Sequence, residues 1–299
     1  MLLDEKNLVA PRSELLALIS PHAPRAKTGR APFELETMLR IHFVGQWLDL
    51  SELVMQEALF ETALCREFVG LSSVERIPER VSILRLRRLL KEHQLAEQIL
   101  AAVNATLTGK GLMLREGTAL DAALIAAPSS SKHKDGERDP EMHQRKKGNQ
   151  WPFGMKCHIG AEADCARVHS VAGTPANVNG VTQAGKLLHG AQTDAGYQGV
   201  TKREDTQGIT AQWHVAMRPG KRRALDKSTP LGAILHKLEQ AKARIGAKAE
   251  HPFRVIKRQF GYTKVKYRGL ARNTAHLVTL FALSNLWMAR RSLLQGLQK

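Results

Sequence analysis

The sequence has few cysteines and no long apolar run. The spacing of Cys157, His158 and Cys165 fits two strands better than a zinc knuckle, and no C-x-x-C pair includes Cys65. The three cysteines therefore indicate buried thiols in a reducing compartment. The most apolar late run, residues 277–288, is too short to span a bilayer. The start, MLLDEKN, lacks the apolar core of a secretion signal. These absences predict a cytoplasmic protein without a membrane span.

Acidic residues are also scarce, above all near the carboxyl end. The formal net charge is +17, and the residues from Arg218 to Lys299 include 19 Lys or Arg against three acids, Asp226, Glu239 and Glu250. A charge excess confined to one part of the chain predicts a polyanionic partner. Double-stranded DNA is favoured over anionic lipid, because no amphipathic helix with a Lys-rich polar face and an aromatic apolar face stands out.

One carboxylate, Glu250, stands inside this basic region. The basic side chains predicted to contact DNA there are Arg254, Lys257, Arg258, Lys264, Lys266 and Arg268, with Lys221 and Arg222 in a preceding Pro-Gly turn. A salt bridge is one explanation for an acid in such a field. The other is a metal ligand beside bound phosphates, where the basic groups hold the nucleic acid and the carboxylate holds a cation that acts on it.

The amino-terminal third has a helical pattern. Residues 1–30 are polar and contain prolines, which predicts a loose arm, and residues 31–110 predict a helical DNA-binding domain. Leu35, Leu39, Phe43 and Trp47 recur every four residues and define one buried stripe. Ser51 is suited to cap the next helix. The apolar residues expected to face inward from that helix are Leu53, Val54, Ala58 and Leu59.

A later helix of this domain, opening at Pro78, is rich in arginine. Its apolar side is predicted to hold Ile83, Leu84, Leu86 and Leu90, and its polar side includes Arg85 and Arg88. The polar side is either a solvated charged face or a surface that lies along DNA. A shorter helix over residues 63–68 precedes it, and a last helix is predicted over residues 94–107.

After Gly111 the periodicity changes to that of a mixed domain, predicted over residues 111–291. Residues 118–126 predict a buried strand with Asp121 in its middle, and residues 154–160 and 167–173 predict an antiparallel hairpin. Further elements are a helix over residues 181–188, a short strand over residues 213–217, a helix from about Leu231 that kinks or restarts at Pro252, an extended segment over residues 264–268, and a final helix over residues 274–288 capped by Asn273.

Three carboxylates occupy positions that suit metal chemistry. Asp121 lies on the first strand, Asp194 opens the turn DAGYQG, and Glu250 lies on a late helix. A charge on a core strand is either a site residue or half of a structural ion pair. The order of elements suits a ribonuclease-H-like fold of the α+β or α/β class. In that fold, two acids on neighbouring strands and one on a helix can hold two divalent cations for phosphoryl transfer.

Several stretches of the sequence closely resemble bacterial transposases of the insertion-sequence-five family, of the DDE class. The similar stretches are PFELETMLRIHFVGQWLDLSE, LDAALIAAPSSSKHKDGERDPEMHQRKKGNQWPFGMKCHIG, DAGYQG, WHVAMRPGKRR and AEHPFRVIKRQFGYTKVKYRGLARNTAHLVTLFALSNLWMARR. The resemblance runs from about Pro32 to Arg291. It implies a ribonuclease-H-like core, dependence on Mg²⁺ with Mn²⁺ as a substitute, and binding to inverted terminal repeats. It also implies action as a homodimer or higher assembly on DNA, in a nucleoid-associated bacterial setting.

The same resemblance assigns roles to individual residues. Asp121, Asp194 and Glu250 correspond to the three catalytic, metal-binding acids, and Lys257 to the signature lysine expected to touch the DNA end. Two positions depart from the pattern. Gly246 stands where an Arg is usual, four residues before the Glu. The short apolar strand that normally precedes the second Asp is missing, since Leu187 and Leu188 run almost directly into the turn.

Three functions follow from these patterns. The leading hypothesis is a DDE transposase that cuts and joins DNA, weakened by the shortened approach to Asp194. A metal-dependent nuclease on the same fold, which hydrolyses DNA without strand transfer, is the second. The third is a catalytically dead transposase remnant that only binds DNA.

Overall fold

The computed structural model of the protein describes residues 5, 8–24, 30–113, 117–128, 137–146, 148–188 and 213–297. The chain divides into two compact units. The helical unit comprises Met1–Leu112, Val255–Tyr262 and Ala275–Lys299, and the α/β unit comprises Met113–Arg254 and Thr263–Thr274. A helical amino-terminal part followed by a mixed α/β part is the predicted fold class, and this prediction is confirmed.

The helical unit contains six helices in the amino-terminal part that the structure describes. They are α1 (Arg12–Ile19), α2 (Leu35–Trp47), α3 (Glu52–Glu61), α4 (Ala63–Val69), α5 (Arg80–Glu92) and α6 (Leu95–Gly109). Three residues of the predicted stripe of α2, Leu39, Phe43 and Trp47, are buried, whereas Leu35 is half-buried. The rings of Phe43 and Trp47 lie 5.8 Å apart. Ser51 caps α3 by accepting a hydrogen bond from the amide of Val54 at 3.2 Å, also as predicted.

Two details of this unit differ from the sequence-based expectations. On α3, Met55 and Leu59 are buried, whereas Leu53 and Val54 are exposed. Leu53 lies two residues, about 200° of helical rotation, from Met55, so the two cannot share a face. Within the arm expected to be loose, α1 buries Leu15 and Ile19 completely and packs on α6.

The last helix, α10 (Leu270–Leu297), contributes its residues from Ala275 onward to the helical unit. Phe281 and Leu286 are buried there. Asn285, fully buried, donates a side-chain hydrogen bond to the side-chain oxygen of Asn104 on α6 at 2.8 Å. The two amides satisfy each other in an apolar setting, where an unpaired amide costs about 1–3 kcal/mol. The end of the chain therefore folds with the amino-terminal helices, a grouping that differs from the predicted domain over residues 111–291.

An antiparallel sheet forms the centre of the α/β unit. Its strands are β1 (Thr118–Ala126), β2 (His143–Gln144), β3 (Phe153–Glu162) and β4 (Val168–Pro175). β3 pairs with β1 along one edge and with β4 along the other, and β2 pairs with the first two residues of β3. The predicted strand and hairpin are confirmed, and the pairing of β1, β3 and β4 is that of the first three strands of a ribonuclease-H-like sheet.

Helices follow the last strand of this sheet along the chain. A 3₁₀ turn (Gly180–Gln183) leads into α7 (Ala184–Leu187), and α8 (Pro219–Arg223) precedes the long α9 (Pro230–Arg254). Leu120 of β1 packs with Ala184 and Leu187 in a buried cluster. In the part of the chain that the structure describes, no helix is long and apolar enough to cross a membrane.

Candidate active site

Asp121 lies in the middle of β1 and pairs with Ile159 of β3. This pair is one of nine consecutive antiparallel pairs between the two strands. Its side chain is half-buried, so it is more open to solvent than the predicted fully buried charge. One carboxylate oxygen, Oδ1, accepts a hydrogen bond from the amide of Ala122 at 2.7 Å. The paired strand fixes the backbone at Asp121, and this local hydrogen bond orients its carboxylate.

Helix α9 packs against β1, which brings the helix that carries Glu250 onto the strand that carries Asp121. Glu250 is exposed near the end of α9, while its neighbour Ala249 is fully buried and Phe253 is almost so. These two buried side chains anchor the helix end, so Glu250 is held with its side chain toward solvent.

The predicted restart of the helix at Pro252 is wrong, because α9 continues through it to Arg254, and a π-helical segment (Val255–Gln259) follows directly. Pro252 has no amide hydrogen, so the carbonyl one turn earlier loses its helical partner. The wider π-helical turn begins three residues after Pro252, and such turns are often found at functional sites.

The segment at residues 213–217, predicted as a short strand, has no strand conformation in the structure. The amide of Met217 donates to the carboxylate of Glu239 on α9 at 2.7 Å, so a side chain on a helix takes the place of a neighbouring strand. Lys242 donates to the other oxygen of Glu239 at 2.8 Å. Burial opposes ionisation of Glu239, but the bonds from Lys242 and Met217 lower its pKa below the ordinary value.

Sequence reasoning missed this role of Glu239. The available signal was an acid in the mostly basic and apolar first part of the helix, 11 residues before Glu250. Trp213 and Val215 of the same segment pack on the buried cluster of Leu120, Ala184 and Leu187. The segment therefore joins α9 to the sheet through both polar and apolar contacts.

Basic side chains continue from the end of β1. Lys264 forms an isolated parallel bridge with Ala126, and the amide of Val265 donates to the Ala126 carbonyl at 2.9 Å. The predicted extended segment over residues 264–268 is thus tied to the strand that carries Asp121. The exposed predicted DNA contacts are Arg254, Arg258, Lys264, Arg268 and Lys221, and the half-exposed ones are Lys257, Lys266 and Arg222.

Two acids from the loop after β1 hold the start of α10. Asp139, buried, accepts a hydrogen bond from the amide of Gly269 at 2.7 Å, and Glu141 accepts one from the amide of Leu270 at 2.6 Å. Carboxylates suit this position because the first amides of a helix lack partners within the helix. These contacts fix the end of the basic segment, and no local pattern in the sequence announced them.

The cap predicted at Asn273 is wrong by one helical turn. Helix α10 begins at Leu270, so Asn273 lies inside it, fully buried. Its side-chain amide nitrogen donates to the carbonyls of Tyr267 at 2.6 Å and Gly269 at 2.8 Å. Asn273 thus stabilises the loop before the helix instead of capping the first turn.

Buried polar groups line β3 beside Asp121. His158 is fully buried and hydrogen-bonded to the hydroxyl of Thr174 at 2.8 Å, and burial lowers its pKa to about 4. Lys156 donates to the carbonyl of Val178, and burial lowers its pKa to about 8. The neighbouring residues Cys157 and His158 point to opposite faces of the strand, which disfavours the zinc alternative.

The helical unit presents a second basic surface. Arg85 and Arg88, both exposed on α5, line a cavity of about 850 Å³. The Arg76 guanidinium lies 3.7 Å from the centre of the Phe33 ring at the same cavity. By contrast, Arg87 points to α3 and pairs with Glu52. On the polar side of α5, Arg87 therefore has a structural role, whereas Arg85 and Arg88 are available to an anion.

Asp194 and the whole DAGYQG turn lie outside the described residues. Among the residues that the structure describes, no three His, Cys, Asp or Glu side chains form a group that could hold a metal ion. The two predicted acids that the structure does describe, Asp121 and Glu250, lie on elements that pack together, β1 and α9.

Comparison with known proteins gave two family matches. The model described as "Transposase DDE domain" matches residues 113–286, which is more than half of the chain. The model described as "Transposase domain (DUF772)" matches residues 2–89. No solved structure matches the chain.

Proposed function

Because the chain belongs to the transposase DDE-domain family, a family of metal-dependent DNA strand-transfer enzymes, we propose that it cuts and joins DNA at the inverted terminal repeats of an insertion sequence. The element we propose is of the insertion-sequence-five type. The observation that carries this proposal is the packing of α9 on β1, which joins the helix of Glu250 to the strand of Asp121.

In this proposal Asp121, Asp194 and Glu250 hold divalent cations, with Mg²⁺ preferred and Mn²⁺ as a substitute. Carboxylate oxygens are the ligands that Mg²⁺ prefers, and Asp121 and Glu250 are both at least partly open to solvent. When bound, the cations supply an activated water or 3′-hydroxyl and stabilise the leaving oxygen of an in-line phosphoryl transfer. The hydrogen bond from Ala122 to Asp121 orients one of these carboxylates in advance.

The basic residues hold the DNA. Lys257, Arg258 and the segment over residues 264–268 neutralise phosphates near the reacting end, with Lys221 and Arg222 as further contacts. Arg85 and Arg88 of α5 bind a separate stretch of the same DNA. Each phosphate contact steepens the salt dependence of binding by about 0.9 in a log–log plot for duplex DNA.

A DNA-binding remnant is the second candidate, and one sequence observation favours it. Helix α7 ends at Leu187, and only residues 189–193 lie between Leu188 and Asp194. A strand that leads into the second acid has little room there. We therefore propose that the activity of this chain is impaired by a deletion before Asp194.

The test is metal-dependent cleavage of a plasmid that carries the DNA flanking this gene. We expect Asp121→Asn and Glu250→Gln each to lower cleavage at least about 100-fold, a loss comparable to removal of one charge-stabilising group from an enzyme site. Binding to the same DNA should stay nearly constant, because neither residue is a phosphate contact. Asp164→Asn, in the exposed turn between β3 and β4, is the matched control.

Unchanged cleavage by Asp121→Asn would contradict the proposed site. A parent protein that binds the plasmid ends without cutting them in Mg²⁺ or Mn²⁺ would establish the remnant. Joining of a pre-cut end to target DNA separates the transposase from a nuclease on the same fold, since a nuclease hydrolyses but does not join.

A further inference from the structure

Helix α9 exposes a line of apolar side chains along most of its length. Leu231 is 68% exposed, Ile234 64% and Leu238 47%, and the line continues through exposed Ala241 to half-exposed Ile245. The spacing of three and four residues is that of the seam of a coiled coil, in which such residues meet a partner helix. We refer to these five residues as the α9 stripe.

A second exposed apolar surface lies on α3 and the start of α4. Leu53 is 49% exposed, Val54 43%, Phe60 56% and Leu64 53%. This surface, the α3 face, is the side of the helix opposite to buried Met55 and Leu59. Large contiguous apolar patches are uncommon on single-chain soluble proteins and usually mark sites of association.

The charges around the two surfaces have opposite signs. Lys237 and Arg244 border the α9 stripe, and both are exposed. Glu57 and Glu61 lie within the α3 face, and both are exposed too. Of the two acids of α9, Glu239 is buried on the other side of the helix, and Glu250 lies beyond the stripe near the helix end.

The two surfaces of two copies could pair in three ways: stripe with stripe, face with face, or face with stripe. The charges favour one of these pairings. If two α9 stripes met, Lys237 and Arg244 of one copy would face the same two cations of the other copy. Two α3 faces would likewise oppose Glu57 and Glu61. Like charges across an interface cost several kcal/mol, whereas opposite charges steer and align the partners. Only an α3 face against an α9 stripe matches apolar with apolar and acid with base.

We propose that the α3 face of one copy of this chain docks on the α9 stripe of a second copy. Every copy carries one surface of each kind, so this one kind of contact is enough for copies of the chain to associate. This contact does not depend on the catalytic proposal. A protein without any nuclease or transfer activity would still associate in this way.

The experiment measures molar mass by light scattering after size exclusion, with full-length protein at about 50 μM, where a micromolar contact is mostly formed. The parent is expected to elute at the mass of two or more copies. Glu57→Lys with Glu61→Lys, and separately Lys237→Glu with Arg244→Glu, are each expected to weaken self-association at least about 10-fold, because each places like charges across the contact.

Mixing these two charge-reversed proteins provides the decisive step. In the mixture, the new lysines of one variant meet the new glutamates of the other, and the two unchanged surfaces keep their native charges. Self-association should return, and only a contact between different copies can be restored by mixing. The control for the Glu57 and Glu61 reversal is Glu67→Lys with Glu97→Lys. The control for the Lys237 and Arg244 reversal is Arg223→Glu with Lys227→Glu. Both controls change exposed charges outside the two surfaces. Circular dichroism of each variant checks that it is folded.

Three results would overturn the proposal: a monomeric parent at this concentration, control variants that dissociate as readily as the test variants, or a mixture that stays monomeric. A fourth is reversal of Lys237 and Arg244 that weakens DNA retention but leaves the mass unchanged. That result would assign the α9 stripe to DNA instead of to a second copy.

Discussion

Asp121 and Glu250, the two acids of the candidate site that the structure describes, are held in opposite ways. Asp121 belongs to a strand whose nine residues are all paired with β3. Glu250 is exposed on a helix end that contains Pro252 and passes into a π-helical turn. One acid is fixed by a continuous ladder, and the other by two buried neighbours on an irregular helix. The position of Asp121 therefore depends on strand pairing, and that of Glu250 depends on the burial of Ala249 and Phe253.

Glycines make the contrast measurable. A Cβ added to Gly154 of β3 would lie 2.1 Å from the carbonyl oxygen of Ile125 on β1. A Cβ added to Gly246 of α9 would meet no atom within 4 Å. The strand side thus has no spare space where β3 meets the end of β1, whereas the helix side is open four residues before Glu250.

The largest effect is expected from Gly154→Ala. The new methyl group meets backbone of β1, which cannot move aside without breaking the pairing, so we expect a loss of about 3 kcal/mol or more in the free energy of unfolding of the α/β unit. Urea unfolding followed by circular dichroism measures it. Gly117→Ala is the control, because its Cβ would make only an ordinary contact, 3.5 Å from Ala163. Equal stability of the two variants would show that the strand side is not tightly fitted.

A smaller effect is expected from acid. Burial lowers the pKa of His158 to about 4 from an ordinary value near 6.5, so the unfolded chain binds a proton more readily than the folded one. Stability from this residue is therefore complete above about pH 6.5 and is lost as the pH falls toward about 4. The full loss is about 3–4 kcal/mol, since one pKa unit corresponds to about 1.4 kcal/mol.

His158→Gln isolates this contribution, because glutamine keeps a donor for the Thr174 hydroxyl but does not titrate. His42 of the helical unit has a pKa lowered to about 4 by burial as well, so the parent alone mixes two sources of acid sensitivity. The measurement is urea unfolding at pH 7 and pH 5 for parent and variant. A variant that loses as much stability as the parent would remove His158 from the account.

Local elements of this molecule were largely predictable from sequence. The strand at residues 118–126 and the cap at Ser51 both depend on patterns of a few residues, and both are confirmed. The inward residues of α3 were harder, because Leu53 and Val54 are apolar but belong to the exposed face. Apolar character alone does not identify the buried face of a helix, because much of a folded protein's surface is also apolar.

Contacts between distant residues were not predictable. Asp139 and Glu141 meet the start of α10 about 130 residues later in the chain, and Asn104 meets Asn285 after an even longer interval. Such pairs leave no periodic signal, since each partner is an ordinary polar residue in its own segment. The same reason applies to the segment at residues 213–217. Its alternation of apolar residues is typical of a strand, but its Met217 amide donates to the side chain of Glu239 on α9.

The smallest effect sharpens the helix side of the comparison. Gly246 is exposed inside α9, and glycine there costs about 0.5–1 kcal/mol relative to alanine because it loses more backbone freedom on folding. Gly246→Ala should therefore raise the free energy of unfolding by that amount. Gly246→Arg should give a similar gain in stability and, in addition, place a cation one helical turn before Glu250.

The two substitutions together separate helix stability from DNA contact. If the arginine reaches a phosphate, the log–log salt slope of DNA binding should steepen by about 0.9 for Gly246→Arg and stay unchanged for Gly246→Ala. Filter binding at several salt concentrations measures both slopes, and thermal unfolding measures both stabilities. Equal slopes with equal gains in stability would mean that this helix face does not approach DNA. A loss of stability in both variants would mean that the open side of α9 is filled by chain or by a partner.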